Sequence, residues 1–366
     1  MAATSPTTPT SAQAVNAGDD HPFVRGVREY AERVLRPTAL RTDREGVTAE
    51  RIGELRELGL LNHLASAEHG GRSLDRGADR RIHEIVAGAC FNTWLVWAQH
   101  AAVTARLPRS PLPETARRAL TGEILLGACI SDVRAYPKRF IEARRVGGGW
   151  VLSGTISWVS GWGLHSALTV AAVEPSTETV VTALVGVGAH TRATAPLDLA
   201  AVAGSRTERV LLEGAFVPDD HVISRQTLER TRFDDIATAG DARGHHFGLA
   251  ETVLRELAET PDPLVQAVAT AWRPRVARIR ETAYALADEA AAAGGGPHRL
   301  QERLDAKVAS GEALAALTRA LVVARAGRGL TGDDTAQLHA RSALFVLVQG
   351  QSADVRRAQL AHLAGG

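Results

Sequence analysis

The 366-residue sequence holds only two cysteines, Cys90 and Cys129. Both lie in apolar stretches, VAGACFNTW and LLGACIS, which read as buried thiols in a reducing compartment and exclude a disulfide framework. An excess of charge is missing too: 42 Lys and Arg face 41 Asp and Glu, with no long run of either sign. That balance argues against a nucleic-acid groove or a basic membrane-surface patch. No apolar run approaches the roughly 20 residues of a bilayer span. The opening MAATSPTTPTSAQAVNAGDD lacks the basic start and apolar run of a secretory signal, and its Ser, Thr, Pro and Ala content reads as a disordered tail over residues 1–20. A cytoplasmic protein with neither a nucleic-acid nor a membrane partner is expected.

What is present falls into three blocks. Over residues 21–122 apolar residues recur at helical spacing, as in HPFVRGVREYAERVL and TAERIGELRELGLLNHL, with Thr48 placed to cap the second helix. A more apolar helix is expected from about Gly77 to Leu107, with Trp94 and Trp97 three apart on one face. A short helix follows Pro111, a residue suited to a first turn, and stops at Gly122. Over residues 123–225 the period changes to alternation and β-branched runs, namely ILLGACIS, GWVLSGTISWVS, ALTVAAV, TVVTALVGV and RVLLEGAFVP, with turn signals such as Gly147 to Gly149. Helical spacing returns over residues 226–366, interrupted by TPDP at Thr260 to Pro263 and GGGP at Gly294 to Pro297. The expected fold is α+β: a helical domain, a middle β-domain and a C-terminal four-helix bundle.

Particular words carry a resemblance. ELGLLNHLASAEHGG supplies Gly59 and Leu60, then Glu68 before Gly70 and Gly71. GGGWVLSGTISWVSG supplies Gly154, Thr155, Trp158, Val159 and Ser160 on the second strand of a hairpin. GSRTERVLLEGAFVPDDHVI returns the chain through a Val-Pro step, and VLVQGQSADVRRAQLAHLAG has the spacing of a final helix preceded by a glycine turn. From about Phe23 to Leu363 the chain resembles the acyl-CoA dehydrogenase superfamily, including its flavin monooxygenase branch. The resemblance implies FAD, or reduced FAD or FMN, with Trp158, Val159 and Ser160 beside the ring. A flat isoalloxazine needs an apolar, partly aromatic wall together with donors for its polar edge. It also implies a homodimer or homotetramer.

Three words depart from the family's pattern. The flavin strand reads Ser131-Asp132-Val133 followed by Arg134 in place of Thr-Glu-Pro and Ala-Gly-Ser, which leaves the Ser131 hydroxyl as a ring donor. Asp262 stands near the place of the family's pyrophosphate arginine, where a carboxylate repels a dianion. Arg325 and Arg328 are the substitutes, as phosphate ligands or as a solvated helix end. Gln349 occupies the position of the glutamate that removes the thioester's α-proton, and an amide is no base. One family branch places that carboxylate at the start of the first C-terminal helix, where Asp234 and Asp235 occur, Asp234 fitting the spacing better. Two acids stabilising a helix N-terminus are the competing reading.

Other candidates are His245 with His246, where adjacent side chains point about 100° apart so that at most one faces a site. Gln99 and His100 end the tryptophan helix in the unit that in relatives lines a substrate pocket, and they either orient substrate or end an apolar stripe. Trp97 joins them as a pocket residue, while His165 reads as a loop residue. No spacing makes a metal site, a P-loop or a nucleophile elbow. The leading expectation is a flavin-dependent oxidoreductase acting on an acyl thioester or related small metabolite. A monooxygenase fed by a separate flavin reductase is the second, and a member that has abandoned flavin for a binding or non-redox role the third.

Overall fold

A computed structural model describes residues 21–104, 107 and 113–365. The expected tail over 1–20 and Pro111 lie outside the described residues. The first helices are α1 Pro22–Tyr30, α2 Arg36–Glu45 and α3 Ala49–Glu57, with a π-helical turn Ala31–Leu35 joining the first two. Thr48 caps α3 as its spacing suggests, its Oγ1 accepting from Arg51 N at 3.2 Å.

The apolar tryptophan stretch forms two helices where one was expected: α4 Arg76–Ala89 and α5 Phe91–Thr104, parted at Cys90, whose backbone is extended. The Gly88 carbonyl accepts from Thr252 Oγ1 at 2.7 Å and Arg36 Nη1 at 3.2 Å. Tertiary donors thus take the carbonyl that a continuous helix would pair internally. A short helix, α6 Glu114–Leu120, closes the unit, and its N-cap is Pro113.

The sheet runs in the order β6-β7-β3-β2-β4-β5-β8, with β1 pairing β4 in parallel. Its strands are β1 Leu126–Cys129, β2 Glu142–Val146, β3 Gly149–Val159, β4 Ala167–Glu174, β5 Thr179–Gly186, β6 Thr191–Pro196, β7 Glu208–Pro218 and β8 Val222–Thr227. The five apolar runs supply β1, β3, β4, β5 and β7. The two end strands β6 and β8 are polar, as edges of a sheet commonly are.

Helices return with α7 Leu228–Ala239, α8 Gly244–Glu259, α9 Pro263–Ala292, α10 Leu300–Arg325, α11 Thr335–Val348 and α12 Ala353–Leu363. The GGGP turn joins α9 to α10, and Gly294, Gly295 and Gly296 all have positive φ. Asp262, weighed above for its charge, is the N-cap of α9 and accepts from Leu264 N at 2.8 Å.

One hydrophobic core joins the first helices to the last, and a second fills the sheet. The helical halves meet where α4 crosses α8 at two glycines. A Cβ on Gly248 would lie 2.0 Å from the Glu84 carbonyl oxygen, and one on Gly88 would lie 2.5 Å from the Gly248 oxygen. This close crossing sets His245, one turn earlier on α8, against Trp94 of α5. Among the described residues no helix is long and apolar enough to cross a membrane, and no cluster of His, Cys, Asp or Glu is placed to hold a metal ion.

Candidate active site

Trp158 stands one residue from the end of β3 and is 41% exposed, whereas its neighbour Val159 is buried in the sheet core. Alternation along a strand requires this difference. The indole faces Phe345 of α11, with centroids 6.5 Å apart and planes 38° inclined. The turn Ser131–Ala135 is latched to the same strand: buried Asp132 accepts from Ser157 N at 2.9 Å and from Ser157 Oγ at 2.5 Å. That latch ties the turn carrying the exposed Ser131 to the strand that carries Trp158. Two residues on, Arg134 forms a bidentate pair with Asp235 of α7, both contacts 2.7 Å. Ser160 is committed elsewhere, its Oγ lying 2.8 Å from Thr207 Oγ1, which also meets Ser205 Oγ at 2.7 Å.

Behind Phe345 lies a buried cluster of rings. Phe91 sits 6.1 Å from Phe345 and 4.8 Å from Trp94. His245 stacks on Trp94 at 4.2 Å and 25°, and His246 lies 4.2 Å from His245. Both histidines are buried in the first turn of α8. Burial, with the charges of His246 and Lys307 next, holds His245 well below its ordinary pKa, and its Nε2 is enclosed without a partner. Burial, then Lys307, pushes His246 down to about 3. Its Nδ1 accepts from Arg243 N at 3.2 Å. Burial also lowers Lys307 to about 7, and its Nζ donates to Ala239 O at 2.6 Å. These imidazoles are therefore neutral rings among aromatic ones. Beneath His246 and Phe247 the packing leaves a cavity of only about 10 Å³.

The remaining pocket candidates are fixed inside the fold. Trp97 is wholly buried and donates Nε1–H to Leu60 O at 2.9 Å. His100 clamps three elements: its Nδ1 accepts from Leu126 N at 3.0 Å and its Nε2 donates to Leu61 O at 2.6 Å. Burial lowers its pKa to about 4. Gln99 bonds back to Leu95 O on its own helix at 3.2 Å. His165, read as a loop residue, is buried with neither ring nitrogen partnered, and burial takes it to about 4.

The candidate base and phosphate ligands lie apart from the rings. Asp234 sits mid-helix in α7, past the first turn where the macrodipole would act, and pairs at the surface with Arg230 at 2.8 Å. Gln349 is the C-cap of α11. Arg325 faces Glu256 at 3.5 Å and Arg328 pairs with Asp334 at 3.1 Å. Burial raises the Glu256 carboxyl, but His339, Thr335 and Arg325 outweigh it and bring it to about 2.

Sequence reasoning passed over Asp132 as a latch, and no local pattern marks it. It also passed over Glu208, whose Oε2 is buried without a partner. Glu208 pairs with Val159 across the strands. Paired residues share a face, so Glu208 lies on the side away from Trp158.

Residues 19–120 match the family model for the acyl-CoA dehydrogenase N-terminal domain. The whole chain superposes on butyryl-CoA dehydrogenase from Megasphaera elsdenii with a TM-score of 0.76 at 15% identity, covering 98% of this chain and 100% of that one. The family-model match covers the N-terminal helical domain, and the chain as a whole has the acyl-CoA dehydrogenase-like fold. It is similar as well to FMN-bound TdsC from Paenibacillus sp. A11-2, a dibenzothiophene monooxygenase, with a TM-score of 0.78 at 19% identity over 92% of this chain and 96% of that one. A glutaryl-CoA dehydrogenase from Mycobacterium smegmatis in complex with FADH2 gives 0.74 at 16% over 94% of both chains. At these identities the structural likenesses establish the fold. No curated protein sequence matches the chain.

Proposed function

We propose that this chain is a flavin-dependent oxidoreductase, and within that class a monooxygenase that takes reduced FAD or FMN from a separate reductase. The observation that carries the choice is the state of the carboxylates. Thioester dehydrogenation requires a free carboxylate at the substrate's α-carbon, and the carboxylates of the Ser131 turn and of the Asp234-Asp235 pair on α7 are engaged. Asp132 is held by Ser157, Asp235 by Arg134 and Asp234 by Arg230. The groups enclosed among the rings are neutral imidazoles instead.

An exposed indole face on a strand latched to the Ser131 turn fits a flat isoalloxazine. When bound, the flavin supplies the electron transfer and oxygen chemistry. Arg325 and Arg328 are spent in ion pairs within the chain, which fits a flavin that is borrowed and released. In this reading Trp158 stacks on the ring, and Phe91 and Phe345 keep water out. Similarity to TdsC structures, one of them holding FMN and indole, supports the same direction. A homodimer or homotetramer belongs to the proposal, and exposed Leu344, Val348, Leu360 and Leu363 on α11 and α12 suit such contacts.

The test is titration of the purified protein with oxidised and reduced FAD and FMN. Binding of the reduced forms alone is expected. Tight binding of oxidised FAD would restore the dehydrogenase, and no binding of either form would leave a fold kept for non-redox work. Trp158→Ala is expected to weaken binding roughly tenfold, the loss of about 1.4 kcal/mol of stacking.

A further inference from the structure

The first helices bury a hydrogen-bonded network that takes no part in the reading above. Trp94 Nε1–H donates to His83 Nδ1 at 2.9 Å. That bond places the His83 proton on Nε2, which lies 3.7 Å from Asp79 Oδ1. His63 Nε2 meets the same carboxylate oxygen at 3.0 Å. Burial lowers the His83 pKa against the opposing pull of Asp79, so the ring is neutral and its Nδ1 lone pair can accept a proton. Trp94 gives its N–H to a titratable side chain, whereas Trp97 donates to a backbone carbonyl and buried Trp150 Nε1 has no partner.

An indole N–H is a very weak acid until the ring loses an electron, whereupon a base at hydrogen-bond distance takes its proton. A continuous file of rings leads from Trp94 outward. Phe91 lies 4.8 Å away, Phe345 6.1 Å beyond it and exposed Trp158 another 6.5 Å on, all separations of contacting aromatic pairs.

We propose that Trp94 is a buried electron donor, oxidised by one electron through Phe91, Phe345 and Trp158 while its Nε1 proton passes to His83. The electron goes to a one-electron oxidant at the exposed face of Trp158, an oxygen-derived radical, which is reduced. The Trp94 N–H bond breaks and a His83 Nδ1–H bond forms. The products are a neutral indolyl radical and an imidazolium whose Nε2–H faces Asp79. Oxidising equivalents thereby leave the corner where substrate would sit and come to rest on an indole that is only 3% exposed. Only the identity of the physiological oxidant rests on the flavin reading.

The experiment uses the full chain without flavin and a soluble photo-oxidant, tris(bipyridine)ruthenium(III) generated by flash and quench, read by transient absorption with aqueous ascorbate present. Wild type is expected to give a neutral tryptophanyl radical that resists ascorbate. Trp94→Phe should lose that fraction, and Trp158→Phe should form it more slowly. His83→Gln should hold it as the spectrally distinct radical cation, since an amide cannot take the proton. An undiminished ascorbate-resistant neutral radical in Trp94→Phe overturns the proposal, as does a neutral radical in His83→Gln. Should Trp94→Phe fail to fold by circular dichroism, His83→Gln alone decides. Since no flavin is added, failure here and failure of the flavin titration are separate results.

Discussion

At the scale of the residue, the histidines show most clearly how burial reassigns a side chain. His100 was a candidate for orienting substrate, yet both its nitrogens are used to join Leu61, Leu126 and α5. Replacing it with leucine leaves a buried N–H and a buried carbonyl unpaired, and a loss of about 2 kcal/mol is expected from urea unfolding. Burial lowers both His100 and His165 to about 4 in the folded chain, against about 6.5 when unfolded. Below pH 6.5 the unfolded chain therefore binds protons that the folded chain refuses, and stability falls as pH drops from about 6.5 towards 4. Each such histidine adds a slope approaching about 1.4 kcal/mol per pH unit. Melting curves between pH 8 and 5, above most of the carboxylate range, should show the decline, and His100→Leu should flatten it. A pH-independent melting temperature over that window would mean that these rings are protonated in the fold.

At the scale of the element, the α4–α8 crossing decides what lies behind the corner. Helix propensity alone favours Gly248→Ala by about 1 kcal/mol. Steric overlap opposes it: the new Cβ would meet the Glu84 carbonyl oxygen at 2.0 Å. Overpacking is expected to win, with a net loss of more than about 2 kcal/mol and a spreading of the helices. A melting temperature at or above wild type would show that the crossing can relax. Much at this scale was legible. The alternating runs mark five strands, Thr48 marks a cap and the glycine turns mark helix ends. Three strands were not legible, because β6 and β8 are polar edges and β2 reads EARRV, of which only Ala143 is buried. The break at Cys90 was hidden for another reason, since its cause is a pair of donors from α2 and α8.

At the scale of the whole molecule, a few buried charges tie the N-terminal helices to the C-terminal ones. Glu84 on α4 is enclosed and accepts from Arg280 at 2.7 and 2.9 Å, from Tyr284 OH at 2.6 Å and from Arg81 at 2.6 Å. Its removal strands a half-buried guanidinium and a phenol. Glu84→Ala should cost about 3 kcal/mol and lower the melting temperature of the whole chain in a single transition. Two separate transitions would mean that the helical halves do not share one core. By itself the sequence determined the order of helices, strands and helices and the words around Trp158 that carry the resemblance, because periodicity and local motifs are properties of neighbouring residues. The tertiary structure alone decided that Asp234 is spent on Arg230, that Asp132 latches the Trp158 strand, and that His83, Trp94 and His245 form one buried network. Those partners lie from four to more than a hundred residues apart, and only packing determines which of a residue's possible partners it meets.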